Sequence, residues 1–255
     1  MKHFQKMNTK LLTTLLFCLF VGFASAQNTL TEKEIKAGWK LLFDGKTLAG
    51  WHNFKSDKIG EAWSVTDGAI HLNKTQKEGF QVKGGGDIVT QDEFENFELR
   101  LEWKIAPCGN SGIIFNVVES PEYQYVWQTG PEMQVLDNTC HPDGKIEKHR
   151  AGNLYDLIKS PTESVKPANE WNEVRIVSNK GKLVLWLNDV KQVETEMFTP
   201  AWEALIKGSK FKDMPGFGKA RKGKISLQDH GDLVWYRKIK IREIKPPVKK
   251  RTNVQ

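Results

Sequence analysis

One nine-residue segment, Phe97–Ile105, shows the clearest hydrophobic pattern in the chain, because apolar residues hold every odd position and charged residues every even one. A period of two is typical of a β-strand that buries one face and exposes the other. Two shorter apolar segments, 174–177 and 183–187, flank the sequence Ser-Asn-Lys-Gly-Lys, which predicts a β-hairpin. Further strands are predicted at residues 63–65, 69–72, 112–118, 132–135, 223–227 and 233–241.

Helical patterns are few and short. Thr31 and Glu34 have the spacing of a capping box, which predicts a helix close behind them. Thr199 followed by Pro200 predicts the start of a second helix, over residues 199–207. Many short strands separated by glycine, asparagine and aspartate indicate an all-β fold, which we expect to be an antiparallel β-sandwich or jelly roll with one or two short helices.

The first 26 residues have the organisation of a secretory signal peptide, with lysines, an apolar run at 11–23 and Ala-Ser-Ala at 24–26. The run is shorter than the roughly 20 residues that a membrane-spanning helix needs, which favours cleavage over a membrane anchor. We therefore expect an exported protein of the periplasm, cell surface or extracellular space, with no membrane span. Residues 27–245 are expected to form a single domain, and residues 246–255 a disordered basic tail.

Composition excludes several classes of function. Removing residues 1–26 takes away three of the 38 basic residues and none of the 31 acidic ones, so the net charge falls from +7 to +4. No nucleic-acid-binding motif accompanies the remaining charge, and no nucleic-acid partner is expected. The chain also lacks a phosphate-binding glycine loop, a nucleophile elbow and a dinucleotide fingerprint, so no cofactor is expected.

Two cysteines follow the predicted signal peptide, Cys108 and Cys140, and an oxidising compartment would allow one disulfide between them. The sequence does not show whether the two meet. His141, Asp143 and His149 are residue types that bind metals, but their spacing matches no strong metal-binding signature. No metal site is therefore predicted.

The sharpest local pattern of polar residues lies in the predicted strand at 132–135. Glu132 and Gln134 would share one face, opposite Met133 and Val135. A bulge after Val135 would return Asp137 to the polar face. Two carboxylates on one surface are what acid–base cleavage of a glycosidic bond requires, although an ordinary edge strand gives the same pattern.

A second candidate cluster is Gln228-Asp229-His230-Gly231-Asp232, at the end of a predicted strand. Histidine titrates near neutral pH and a neighbouring carboxylate can orient it, so His230 is a candidate proton carrier. A structural, hydrogen-bonded histidine is the alternative. The turn before the strand at 112–118 presents Asn110, whose amide suits sugar hydroxyls, but turn chemistry alone also explains it.

Seven short motifs follow one another along the chain: FDGKTLAGW at 43–51, WSVTDG at 63–68, GNSGI at 109–113, PEMQVLD at 131–137, AGNLYD at 151–156, EWN at 170–172 and LQDHG at 227–231. In this order they resemble the 3-keto-disaccharide hydrolase domain family, over roughly residues 37–244. The resemblance implies a concanavalin A-like β-sandwich, export, and a role in breaking glycosides already oxidised at carbon 3. Such a substrate requires a prior oxidation, so a partner oxidoreductase is expected.

A ketone at carbon 3 acidifies the proton on carbon 2, so a base can form an enolate that expels the group on carbon 1, after which water adds. We expect Glu132 or His230 to be the base and the other to be the acid. The basic segment 207–222 is expected to lie over the cleft or to stabilise the enolate. The side chains expected to bind the sugar by hydrogen bonding or stacking are Asn110, Gln134, Gln228, Asp229, Trp63, Trp127 and Tyr155.

Two other functions remain open. A conventional glycoside hydrolase would use Glu132 and Asp137, because this strand also resembles the catalytic strand of laminarinase-type endoglucanases. Those enzymes have a carboxylate where this chain has Gln134, and direct displacement needs two carboxyl groups about 5–5.5 Å apart, which argues against that mechanism. A non-catalytic, lectin-like carbohydrate-binding protein would fit the nine tryptophans, since an exposed indole is a flat surface for a sugar.

Overall fold

The computed structural model describes residues 28–73 and 76–245, so the predicted signal peptide and the predicted tail lie outside the described residues. Two α-helices lie within these ranges, α1 (Glu32–Lys36) and α2 (Pro200–Lys207), with 3₁₀ turns at Val126–Gln128, Pro142–Lys145 and Glu147–His149. The strands are β1 (Trp39–Leu41), β2 (Trp51–Asn53), β3 (Trp63–Thr66), β4 (Ala69–Leu72), β5 (Lys77–Glu78), β6 (Gln81–Val82), β7 (Ile88–Thr90), β8 (Phe97–Ile105), β9 (Asn110–Val117), β10 (Glu132–Leu136), β11 (Asn172–Asn179), β12 (Lys182–Leu187), β13 (Val190–Glu196), β14 (Lys224–Leu227) and β15 (Val234–Glu243).

The strands form two main antiparallel sheets and one small hairpin. The large sheet has the order β13-β12-β11-β8-β15-β4-β3, with β1 also paired to β15. The small sheet has the order β10-β9-β14-β7-β2, and β5 pairs only with β6. Side chains from both sheets meet in one hydrophobic core, including Leu99 and Trp103 of the large sheet and Phe115 and Met133 of the small one. The fold is therefore the all-β antiparallel sandwich that the sequence predicts.

The strand with the clearest sequence pattern, β8, buries all its odd-numbered residues in the core. Its other face is less exposed than the alternation predicts, because Glu98 is only 1% exposed. The carboxylate of Glu98 accepts hydrogen bonds from Arg100, Arg175 and Arg242, which cover it. Charged residues at alternate positions thus mark the outer face correctly, but neighbouring strands pair the charges and exclude water.

The local signals for the starts of both helices are confirmed. The hydroxyl of Thr31 accepts the N–H of Glu34, whose carboxylate accepts the N–H of Thr31. Thr199 caps α2 by accepting the N–H of Trp202 at 3.2 Å.

Six strands were not predicted: β1, β2, β5, β6, β7 and β13. All but β13 are two or three residues long, too short to show a period. Among the described residues, no helix is long and apolar enough to cross a membrane.

Candidate active site

A cavity of about 350 Å³ lies on the outer face of the small sheet, beside β10, β9 and the end of β14. On β10, Glu132 and Gln134 line the cavity while Met133 and Val135 lie in the core, as the alternation predicts. The residues that line it are Phe80, Asn110, Trp127, Glu132, Gln134, Tyr155, Lys210, Phe211, Met214, Gln228 and His230. Seven of the ten predicted site residues are therefore brought together: Asn110, Trp127, Glu132, Gln134, Tyr155, Gln228 and His230.

Asp137 does not line the cavity, and the bulge predicted before it is wrong. β10 pairs with β9 in unbroken register, with no extra residue along the strand. Asp137 instead holds the adjoining turn, because its Oδ2 accepts the N–H of Cys108 at 2.8 Å and its Oδ1 accepts the N–H of Thr139 at 3.0 Å. The same turn is closed by a disulfide between Cys108 and Cys140, a pairing that the sequence left open.

Asp229 also has a different place from the predicted one. Its side chain is fully buried, and its carboxylate accepts the N–H groups of Val82 (3.0 Å), Gly86 (2.7 Å) and Gly231 (2.8 Å). A Cβ on Gly85 would lie 2.3 Å from this carboxylate, so glycine is needed there. Asp229 therefore ties the β5–β6 hairpin to the loop that carries His230, and does not face a ligand.

Trp63 is the third predicted residue outside the cavity. It is 3% exposed, belongs to the core, and donates its indole N–H to the carbonyl oxygen of Gly86 at 2.7 Å. Trp127 is the tryptophan at the cavity, where it stacks on Tyr125 with a centroid distance of 5.0 Å and an interplanar angle of 8°. The sequence alone did not distinguish the core indole from the cavity indole.

Glu132 is only 5% exposed, and its carboxyl group packs against the bare backbone of Gly112, where a Cβ would lie 2.0 Å from Oε1. Burial raises the pKa of Glu132 to about 8. The positive charge of Lys210 opposes this rise, whereas the carboxylates of Asp87 and Asp143 add to it. At neutral pH the group is therefore a protonated acid.

Gln134 holds this carboxyl group in place. With its amide oriented so that both its nitrogen and its oxygen are paired, Gln134 donates to Oε1 of Glu132 at 2.9 Å and to the carbonyl oxygen of Ser111 at 3.0 Å. The side-chain amides of Gln134 and Asn110 lie 3.3 Å apart. Together these groups form a polar floor on the two adjacent strands.

His230 faces the same cavity from the loop after β14. Its ring lies 6.3 Å from the ring of Phe80 and 6.3 Å from that of His141, measured between centroids. Burial lowers the pKa of His230, and the charge of His141 lowers it further, while Asp232 and Asp143 oppose the shift. A neutral imidazole is therefore favoured at neutral pH.

The opposite wall carries a fixed cation from the basic segment. Nζ of Lys210 donates to the hydroxyl of Tyr155 at 3.0 Å and lies 4.1 Å from the centre of its ring. The hydroxyl of Tyr155 donates in turn to Asp143 at 3.0 Å. Asp156 accepts the backbone N–H of Lys210 at 2.7 Å and pairs with His149 at 3.0 Å. The basic segment thus lies at the cavity, as one of its predicted placements requires.

His141, Asp143 and His149, whose residue types can bind metals, do not form a set of metal ligands. His149 is paired with Asp156, and Nδ1 of His141 accepts the N–H of Asp143 at 3.1 Å. In the described part of the chain, the group of histidine, cysteine and acidic side chains whose ligand atoms come within 4.8 Å of one another contains both disulfide cysteines. Their sulfur atoms are already bonded to each other.

Four residues of the cavity were missed as individual residues: Phe80, Lys210, Phe211 and Met214. The last three lie in the basic, glycine-rich segment that the sequence placed near the cleft. Phe80 lies in the turn of a hairpin with two-residue strands, which gives no periodic signal.

The raised pKa of Glu132 has a consequence for stability. Between the unfolded value of 4.5 and the folded value of about 8, the unfolded state releases a proton that the folded state keeps, so Glu132 destabilises the fold as pH rises through this range. Glu132→Gln is expected to raise the melting temperature at pH 8 by at least ~2 °C relative to the wild type, and by less at pH 4. Thermal unfolding at both pH values measures this.

Glu122→Gln, at an exposed glutamate, is the matched control and should change neither value. A Glu132→Gln melting temperature that shifts equally at pH 4 and pH 8 would contradict the buried, protonated state.

Comparison with known proteins identifies the family. Residues 38–242 match the model of the 3-keto-alpha-glucoside-1,2-lyase-like domain. A protein of Bacteroides thetaiotaomicron named 3-keto-disaccharide hydrolase is 35% identical over 226 residues, which cover 80% of this chain and 78% of that protein.

Two crystal structures of candidate glycosyl hydrolases from Parabacteroides distasonis are also similar. One is 31% identical with a TM-score of 0.77, covering 86% of this chain and 100% of that one. The other is 29% identical with a TM-score of 0.60, covering 81% of this chain and 99% of that one. The resemblance drawn from the sequence motifs is confirmed, and the chain belongs to the family of 3-keto-alpha-glucoside-1,2-lyase-like domains.

Proposed function

We propose that this protein is an exported glycoside hydrolase that cleaves 3-keto glycosides, including disaccharides, by proton abstraction at carbon 2, elimination and addition of water. The observation that carries the proposal is the buried, protonated Glu132 in one cavity with His230 and Lys210. The description of the family as a 1,2-lyase and the name of the Bacteroides relative support the same substrate class. Export rests on the signal peptide predicted at residues 1–26.

The reaction needs no second carboxylate. A base removes the proton from carbon 2, and its electron pair delocalises into the neighbouring ketone as an enolate. The enolate expels the oxygen on carbon 1, breaking that C–O bond, and an acid protonates the departing oxygen. Water then adds across the new double bond, its hydroxyl going to carbon 1 and a proton to carbon 2, which gives the free 3-keto sugar and an alcohol.

The protonation states of Glu132 and His230 indicate which of them is the acid and which is the base. At pH 7 the cavity holds a protonated Glu132, with a pKa of about 8, and a neutral His230, whose pKa is lowered by burial. Groups whose pKa values are pushed apart in this way suit opposite roles. His230 is the base that takes the carbon 2 proton, and Glu132 is the acid that protonates the leaving oxygen.

The remaining polar groups suit the charge that develops on the ketone oxygen. Lys210 uses one N–H for Tyr155, which leaves further donors for an enolate oxygen. Gln228 and Asn110 lie on the strand side of the cavity, where their amides can hold sugar hydroxyls. The ketone must be made by oxidation of the carbon 3 hydroxyl, so we propose a separate oxidoreductase as the source of the substrate.

A conventional glycoside hydrolase fits the cavity less well. Glu132 is the only carboxylate among the described residues that line it, and Asp137 is engaged in the neighbouring turn. Direct displacement or inversion would lack its second carboxylate. A lectin-like function would use the same aromatic and amide groups, but it gives no role to a buried acid beside a neutral histidine.

A change of leaving group separates the acid from the base. On a 3-keto disaccharide, both Glu132→Gln and His230→Ala are expected to lower kcat/KM by roughly 10²–10⁴-fold. On a 3-keto nitrophenyl glycoside the leaving oxygen departs without protonation. There Glu132→Gln is expected to regain most of the wild-type rate, whereas His230→Ala stays impaired, as initial rates of product release will show.

Matched, unoxidised glycosides are the control. Their cleavage by the wild type would replace the proposal with a conventional glycosidase, and binding of every sugar without cleavage would replace it with a lectin. Equal loss in Glu132→Gln on both keto substrates would exchange the two roles. Near-full activity of both variants would exclude both residues from the reaction.

The position of Lys210 predicts a shift in pH dependence. The active form needs His230 neutral and Glu132 protonated, so kcat/KM is expected to fall at acidic pH and again above about pH 8. Because the charge of Lys210 lowers the pKa of Glu132, Lys210→Met is expected to move the alkaline limb to higher pH. It should also lower kcat by roughly 10²–10³-fold, the cost of losing an oxyanion donor.

Lys212→Met removes an exposed lysine two residues away and serves as the matched control. An alkaline limb that stays in place in Lys210→Met would show that this cation does not act on Glu132.

A further inference from the structure

Phe80 is an unusual surface residue. It is 42% exposed, one of three exposed large hydrophobic side chains in the described part of the chain, and it lies between β5 and β6 at the cavity. Exposing this much aromatic surface loses the free energy that burial would supply. A ligand that covers the ring would recover it.

Phe80 belongs to a group of three aromatic side chains. Its ring meets that of Tyr125 edge-on, at 5.5 Å and 60°. Tyr125 stacks in turn on Trp127, whose indole lines the cavity. These three residues are called the aromatic rim. Their rings support one another, so Phe80 and Trp127 present preformed flat surfaces.

The cavity is chemically asymmetric. Its strand side carries the acid and amide groups, including Glu132, Gln134 and Asn110, whereas Phe80 and Trp127 of the aromatic rim offer no charge. A 3-keto glycoside is asymmetric in the same way, because its reacting ring carries the ketone and hydroxyls while its leaving part takes no part in the chemistry. The polar groups match the reacting sugar, and the rim is left for the leaving part.

The rim is fixed relative to the proton carriers. The β5–β6 hairpin that holds Phe80 is bound to the His230 loop because Asp229 accepts the N–H of Val82 in β6 and that of Gly86 just beyond it. An exposed ion pair between Lys77 and Asp232, at 3.2 Å, joins the same two segments. A leaving group that stacks on the rim would therefore be held at a set distance from His230.

We propose that the aromatic rim binds the leaving part of the substrate and selects leaving groups with a flat apolar face, a second pyranose ring in the natural substrate. The inference rests on the proposed function, since it assumes that the reacting sugar lies at Glu132. It makes Phe80 a specificity-determining residue, and not a catalytic one.

Phe80→Ala tests the rim with two substrates of one 3-keto sugar, its disaccharide and its methyl glycoside. KM for the disaccharide is expected to rise roughly three- to tenfold more than KM for the methyl glycoside, the effect of one stacking contact that only the disaccharide loses. Phe80→Tyr keeps a flat ring and should restore the disaccharide KM. Ile35→Ala, at an exposed residue of α1, is the control.

Binding of the unoxidised disaccharide and methyl glycoside, measured by calorimetry, distinguishes failure of the rim assignment from failure of the proposed reaction. If the wild type cleaves neither keto substrate but Phe80→Ala weakens disaccharide binding alone, the proposed reaction fails and the rim stands. If both keto substrates lose activity equally in Phe80→Ala, the residue acts through the His230 loop, and the rim assignment is wrong while the reaction stands. Equal binding of both glycosides by wild type and variant would also overturn the rim.

Discussion

The pairing of β10 with β9 is the constraint on which the cavity depends. It places Gln134 opposite Gly112 and leaves Glu132 and Gln134 on the outer face, because Met133 and Val135 occupy the core. Side chains alternate along a strand, so a slip by one residue would exchange the faces and bury a carboxyl group between the sheets. Burial of the apolar side chains of β10 between the two sheets therefore also directs the side chain of Glu132, the proposed acid, into the cavity.

The chemistry of the cavity follows from how deeply Glu132 lies. Because Gly112 has no side chain, the carboxyl group of Glu132 packs directly against the backbone of the small sheet, where burial penalises its charged form. Asp87 is a second buried carboxyl group beneath the same region, and burial raises its pKa to about 7. The charge of Lys210 opposes the rise in the pKa of Glu132 from the other wall. A neutral acid close to a fixed cation is an arrangement that favours negative charge on a substrate and not on the protein.

The sequence predicted those features of the site that local geometry decides. The period of β8 and the order of Glu132 and Gln134 follow from strand alternation, which needs no knowledge of distant residues. Phe80 and Lys210 could not be placed individually, because each reaches the cavity from a loop whose path depends on tertiary packing. The core position of Trp63 was missed for the same reason, since the local sequence around a tryptophan does not show whether its indole lies in the core or at a binding surface.

Asp137 and Asp229 show what separates a structural carboxylate from a candidate catalytic one. Both lie in motifs beside the cavity, but backbone N–H groups take up their acceptor capacity, three of them at Asp229. Glu132, in the described part of the chain, accepts from the side chain of Gln134 and from no backbone N–H. Buried polar groups are normally paired within the fold, and a carboxylate held by N–H groups is stabilised in its charged form. Backbone N–H groups oppose the rise that burial causes in the pKa of Asp229, whereas no backbone N–H opposes it at Glu132, whose pKa rises to about 8 and whose proton is therefore available to a ligand.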